Sequence, residues 1–114
     1  MRISAADLDR RITILRAASI DDGTATVAGD LAPIGKRWAK KTDVSDGERM
    51  RAAQQGQTLT SRFLVRADRL TKTIAGTDVI LCGGVRYEVV GAKEWGGRNN
   101  GIEITTNSQS ERLP

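Results

Sequence analysis

Short runs of alternating apolar and polar residues set the limits on what this chain can fold into. In Arg11-Ile12-Thr13-Ile14-Leu15-Arg16, Ile12 and Ile14 fall on one side of an extended backbone. In Leu59-Thr60-Ser61-Arg62-Phe63-Leu64-Val65-Arg66, Leu59, Phe63 and Val65 share one side and both arginines the other. Successive side chains of a strand point to opposite faces, so this pattern describes half-buried antiparallel strands. Val79-Ile80-Leu81-Cys82 and Val85-Arg86-Tyr87-Glu88-Val89-Val90 flank Gly83-Gly84. Two glycines between strand-like runs suit a tight hairpin, whose central residues need positive φ.

Lys36-Arg37-Trp38-Ala39-Lys40-Lys41 reads as a further strand, and Ile102-Glu103-Ile104-Thr105 as a last one after the Gly/Asn-rich loop 96–101. Residues 19–35, with only scattered apolar side chains, read as a long hairpin connection or excursion. A single turn is expected over Asp7 to Arg10. The segment 45–55 predicts one short helix, with Ser45 as N-cap, Glu48 completing a capping box and Gly56 as the stop. The expected architecture is all-β: a small antiparallel β-barrel of about six strands. A long loop or short-helix insert, 44–57, separates strands two and three.

A chain of 114 residues supports one domain. The expected division is a barrel over 1–106 and a polar tail over 107–114. No apolar run follows Arg2, so no signal peptide is expected, and no stretch approaches the ~20 apolar residues of a membrane helix. Cys82 is the one cysteine, which excludes an internal disulfide, and its expected role is a buried, inert thiol. There is no histidine, so the commonest general base and metal ligand are missing. Gly91-Ala92-Lys93-Glu94-Trp95-Gly96-Gly97-Arg98 lacks the lysine and hydroxyl that a phosphate loop carries after its second glycine. Asp21, Asp22 and Asp30 lack the spacing and distal glutamate of a calcium loop, and fit turn chemistry instead. No catalytic residue, metal site or cofactor is expected.

The net charge of +4 suits a chain lying near DNA as well as simple solubility. Lys36, Arg37, Lys40 and Lys41 around Trp38 form a possible basic surface, able to hold phosphates and stack a base. The plainer reading is an edge strand protected by lysines. Arg49 and Arg51 are a smaller basic feature on the insert, where Met50 is the expected apolar anchor. So short a helix has few apolar groups to offset its ordering cost, and neighbours are expected to order it.

In order along the chain, several segments resemble the phage head–tail joining family, also called head closure or stopper proteins. Leu8-Asp9-Arg10-Arg11-Ile12-Thr13-Ile14 resembles its opening strand and Trp38-Ala39 its Trp-Ala strand. Ser45-Asp46-Gly47-Glu48 leads to Ala53-Gln54, and Thr60-Ser61-Arg62-Phe63-Leu64-Val65-Arg66 follows. Tyr87-Glu88-Val89, Gly97-Arg98 and Ile102-Glu103-Ile104 resemble the family's close. Where the family carries valines around the Trp-Ala pair, Arg37 and Lys41 stand here.

The resemblance implies a small β-barrel acting in the virion neck of a tailed phage or gene transfer agent, assembled in the bacterial cytoplasm. It implies a six- or twelve-fold homo-oligomeric ring, with portal and adaptor proteins on the head side and tail terminator or tail proteins on the other. It implies non-specific contact with packaged DNA and no membrane partner. By position, the insert would face the DNA channel with Asp46, Glu48, Arg49, Arg51, Gln54 and Gln55. Two alternatives stand beside this reading. One is a small nucleic-acid-binding barrel using the Trp38 strand, and the other is a tail-side completion protein.

Overall fold

A computed structural model describes residues 3–21 and 26–108, with the side chains of 19–21 and 26–28 left aside. Six antiparallel strands close into a barrel: β1 (Arg10–Asp21), β2 (Thr26–Asp43), β3 (Ser61–Arg66), β4 (Val79–Cys82), β5 (Val85–Trp95) and β6 (Gly101–Asn107). Around the barrel they run β1-β2-β3-β6-β5-β4. Helix α1 (Asp46–Gln54) lies between β2 and β3, as the sequence predicts. A short 3-10 turn covers Ala5–Asp7, slightly before the predicted one.

Alternation explains the core. Ile12 and Ile14, Phe63 and Val65, and Ile102 and Ile104 point inward with Ala39, Ile80, Tyr87 and Val89. Registers put Ala39 beside Val65 and Val65 beside Ile102, and set Phe63 beside Ile104, so inward residues stack in layers across neighbouring strands. Phe63 meets Tyr87 edge to face, with ring centroids 5.0 Å apart. Cys82 is buried in this core, as expected. The Gly83-Gly84 turn has φ of 59° and 80°, the left-handed conformation that only glycine adopts without strain.

The segment between β3 and β4 adds Ile74 to the core, and its Leu70 and Ala67 pack against that core. Its backbone is organised by Asp68 and Thr71. The Asp68 carboxylate accepts from the Thr71 N–H at 2.8 Å, and the Thr71 hydroxyl accepts from the Asp68 N–H at 2.8 Å. Asp78 is fully buried at the start of β4 and accepts both Nε and Nη2 of Arg16 at 2.9 Å. The Ala75 N–H donates to the same carboxylate at 3.1 Å.

Three strands, β1, β2 and β5, run longer than the sequence pattern indicated. The connection read over 19–35 is mostly strand: β1 and β2 remain paired out to Asp21 opposite Thr26. β4 covers β1 only over Ile12 to Leu15, and β3 covers β2 only from Ala39. Beyond those points the hairpin is a two-stranded ribbon that touches the core only near its base, where Ile34 packs, so little imposes alternation on it. Pro33 is tolerated there because it sits beside a register shift and a free edge. Likewise β5 continues beyond the strand-like run 85–90, through a bulge at Val90, to Trp95. Asp22 and residues 109–114 of the expected tail lie outside the described residues; β6 itself reaches Asn107.

Candidate functional site

Two surfaces carry the residues singled out by sequence: the α1 insert and the outer side of β2. The insert leaves and rejoins the barrel at one point, where the Val44 N–H donates to the Thr60 carbonyl at 3.0 Å. Ser45 caps α1 by accepting from the Glu48 N–H at 3.3 Å. Gly56, with φ of 78°, ends it. Only half of the expected capping box forms. The Glu48 carboxylate turns to Arg62 of β3 instead, accepting from both terminal guanidinium nitrogens, one at 2.8 Å. A guanidinium fork outcompetes a single backbone N–H for a carboxylate.

That ion pair holds the Glu48 carboxyl below its ordinary range and raises the Arg62 guanidinium above its own. Glu48 and Ala52, four residues apart, therefore share the docked side of α1, and Ala52 is buried. Met50 is not the anchor: it is 66% exposed, because this register turns it outward. Asp46, Arg49, Arg51, Gln54 and Gln55 are also exposed. Glu48→Ala should leave barrel amides unchanged while amides of 46–54 exchange faster with deuterium. Unchanged protection of α1 would show that Val44 and Ala52 suffice to dock it.

On β2 the period of two divides the basic cluster. Lys36, Trp38 and Lys40 are on the outer side and exposed, whereas Arg37, Ala39 and Lys41 share the inward register. Ala39 is fully buried, and the two cations flank it toward opposite ends of the barrel. Arg37 pairs with Asp68 at 2.8 Å. Burial would raise the Asp68 carboxyl, but Arg37 and the Thr71 N–H outweigh it and hold it low. Lys41 pairs with Asp43 at 3.2 Å and lies over the Tyr87 ring at 5.7 Å. Ser61 and Lys41 both hydrogen-bond Asp43 and hold its carboxyl low. Arg37 and Lys41 thus take the positions where the resembled family has valines, keeping their aliphatic stems at the barrel lips and their charges paired.

The outer side gains a partner that the sequence reading did not include. Arg11, opposite Trp38 in the β1–β2 register, lies with its guanidinium 5.3 Å from the Trp38 ring centroid. Trp38 is 52% exposed. With Ala5, Leu8 and Arg66 it lines an open groove of about 320 Å³. Pairing the alternation of the two strands would have found Arg11; the groove needs the Ala5–Asp7 turn and has no sequence signal. Among the described residues no group of three or more cysteine and carboxylate side chains could hold a metal ion, and no helix is long and apolar enough to cross a membrane.

Residues 3–109 match a family model described as phage head completion protein. Among solved structures, a protein of Shigella flexneri 2a, known in solution, superposes with a TM-score of 0.68 at 20% identity. It covers 96% of this chain and 99% of its own. A chain of the virion of a native gene transfer agent particle superposes with a TM-score of 0.59 at 16% identity, over 87% of this chain and 92% of its own. At such identities the likeness is one of fold. No curated protein matches the chain.

Proposed function

The chain belongs to the phage head completion protein family, and from that premise we propose that it closes the head–tail junction as a ring of copies. It is a structural protein of the phage head–tail region built on a β-barrel, and not an enzyme. In the proposed arrangement the ring lies in the virion neck beneath portal and adaptor proteins and surrounds the DNA exit channel. It offers its other side to tail terminator or tail proteins, after assembly in the bacterial cytoplasm. Heterologous contacts of this kind close into rings, and the family resemblance implies six- or twelve-fold order.

The observation that carries this reading is the placement of α1. A rigid barrel holds a short, capped helix by Ala52 and the Glu48–Arg62 pair, leaving Asp46, Arg49, Arg51, Gln54 and Gln55 toward solvent. Glu48 serves the docking, so the arginines are the groups that meet DNA. Cations on such a helix attract the phosphate backbone without reading sequence, and the contact weakens with salt. Replacing Arg49 and Arg51 together with glutamate should leave the barrel's unfolding midpoint nearly unchanged, since neither is buried. Particles carrying the variant should fill but lose packaged DNA on storage, read by nuclease-sensitive DNA outside sedimented particles. A folded variant that retains its DNA as wild type does would remove α1 from the channel.

Exposed Trp38 beside Arg11 favours a second reading, a free nucleic-acid-binding barrel. Its outer side keeps only Lys36 and Lys40 of the four cations on that strand. Tight, salt-sensitive retardation of DNA that disappears in Trp38→Ala would support it.

A further inference from the structure

The β1–β2 ribbon reaches past the other strands of the barrel, with Ile34 at its base packed on the core. Residues 17–21 and 26–34 have no strand beside them except each other. An isolated two-stranded ribbon is marginal in water, so such an arm implies a surface that receives it. Edge-to-edge pairing with another strand is guarded against by Pro33 and by the register shifts at Ile14/Leu15 and Ala17/Ser19. The arm is therefore suited to lie across a surface by its faces and charges.

Charge selects that surface. The two stretches carry Asp21 and Asp30 and none of the chain's eighteen lysines and arginines. Asp30 is exposed. The outer side of the barrel around Trp38 has the opposite character: Arg11, Lys36, Lys40 and Arg66 surround the half-exposed indole, with Asp7 and Asp9 at its rim. The Ala5–Leu8–Trp38–Arg66 groove adds an apolar floor for an arm that carries four alanines and Leu31.

The arm cannot reach this side of its own barrel. Asp30 and Lys40 are on the same strand, and ten residues of extended backbone separate them by about 33 Å. Two arms meeting about a two-fold axis would set acid against acid. A head-to-tail contact, arm of one copy on barrel of the next, sets acid against base and generates a ring when its rotation closes.

We propose that the acidic ribbon of one copy docks on the basic Trp38 side of the adjacent copy. The proposal rests on the reading of this chain as a ring-forming head–tail protein and identifies the contact that closes the ring.

Assembled particles treated with a water-soluble carbodiimide, which joins a carboxylate and an amine as an amide without a spacer, give the direct test. Peptides linking Asp30 to Lys40 or Lys36 are expected, and the strand geometry makes such links intermolecular. Several copies per neck with Asp30 joined to another protein, or to nothing, would overturn the docking while leaving the ring. Absence of the chain from particles would bring down the head–tail reading and the docking with it. A second measurement uses charge reversal. Asp30→Lys and Lys40→Glu should each lower incorporation into particles by about fivefold or more, through repulsion repeated around the ring. Co-expressing the two should restore it, because in an alternating ring each reversed arm meets a reversed barrel and each native arm a native one. Failure of the mixture to recover, with both variants folded, would also sink the docking.

Discussion

Phe63→Ala is expected to lower the stability of the barrel by about 3–5 kcal/mol. A lone domain of this size has about 5–15 kcal/mol in total, so the variant should populate unfolded chain under ordinary conditions. Phe63 is the largest of the fully buried side chains. It faces Tyr87 across the barrel and adjoins Ile104 in register. A closed barrel cannot collapse onto the void, because hydrogen bonds around its whole circumference fix its diameter. The cost should therefore fall at the upper part of that range. Urea unfolding followed by tryptophan fluorescence would show a midpoint more than about 1 M lower. Val90→Ala, at a position 46% exposed, should move it little. A loss below about 1 kcal/mol for Phe63→Ala would mean that the barrel repacks freely, contrary to a closed sheet.

Asp78→Ala should cost about 2–4 kcal/mol, somewhat less than the loss of one partner from a wholly buried ion pair. The Asp78 side chain is 1% exposed, but Arg16 keeps 35% exposure and can turn to water. The substitution also strips the Ala75 N–H of its acceptor. Burial alone would raise the Asp78 carboxyl, yet the Arg16 guanidinium and the Ala75 N–H outweigh it and hold it low. Its contribution is thus complete above the unfolded value of about 3.9 and fades as pH falls through the lower folded value. Asp43, Glu48 and Asp68 are lowered too, so the whole protein should lose stability below about pH 4. The stability gap between Asp78→Ala and wild type should narrow as pH falls from neutral to about 3. A gap that stays constant with pH would assign the loss to packing alone.

Features governed by neighbours in sequence were legible before the structure. The Gly83-Gly84 hairpin, the Ser45 cap, the Gly56 stop and the inward faces of β1 and β3 depend on turn sterics, capping and alternation. Features governed by distant partners were not. Arg16 meets Asp78 across 62 positions, and Arg37 meets Asp68 across 31. Glu48 abandoned its capping box because Arg62, fourteen residues on, offered a better donor. The ribbon escaped because strands without a buried face need not alternate. The basic cluster is a different case: its division between two sides follows from the same alternation, applied to Lys36 through Lys41.

The hydrogen bond from Val44 to Thr60 has a consequence for the history of such proteins. Because β2 and β3 are neighbours, everything from 45 to 59 is a detour that begins and ends at one place. Doubling the length of such a detour adds only about 0.6 kcal/mol of closure entropy, and the barrel bears no other strain from it. Insertions and deletions there are nearly neutral for folding, whereas a single residue inserted into β3 would turn Phe63 and Val65 to solvent. Selection can therefore tune how far this segment reaches from the barrel, lineage by lineage, without disturbing the scaffold that carries it.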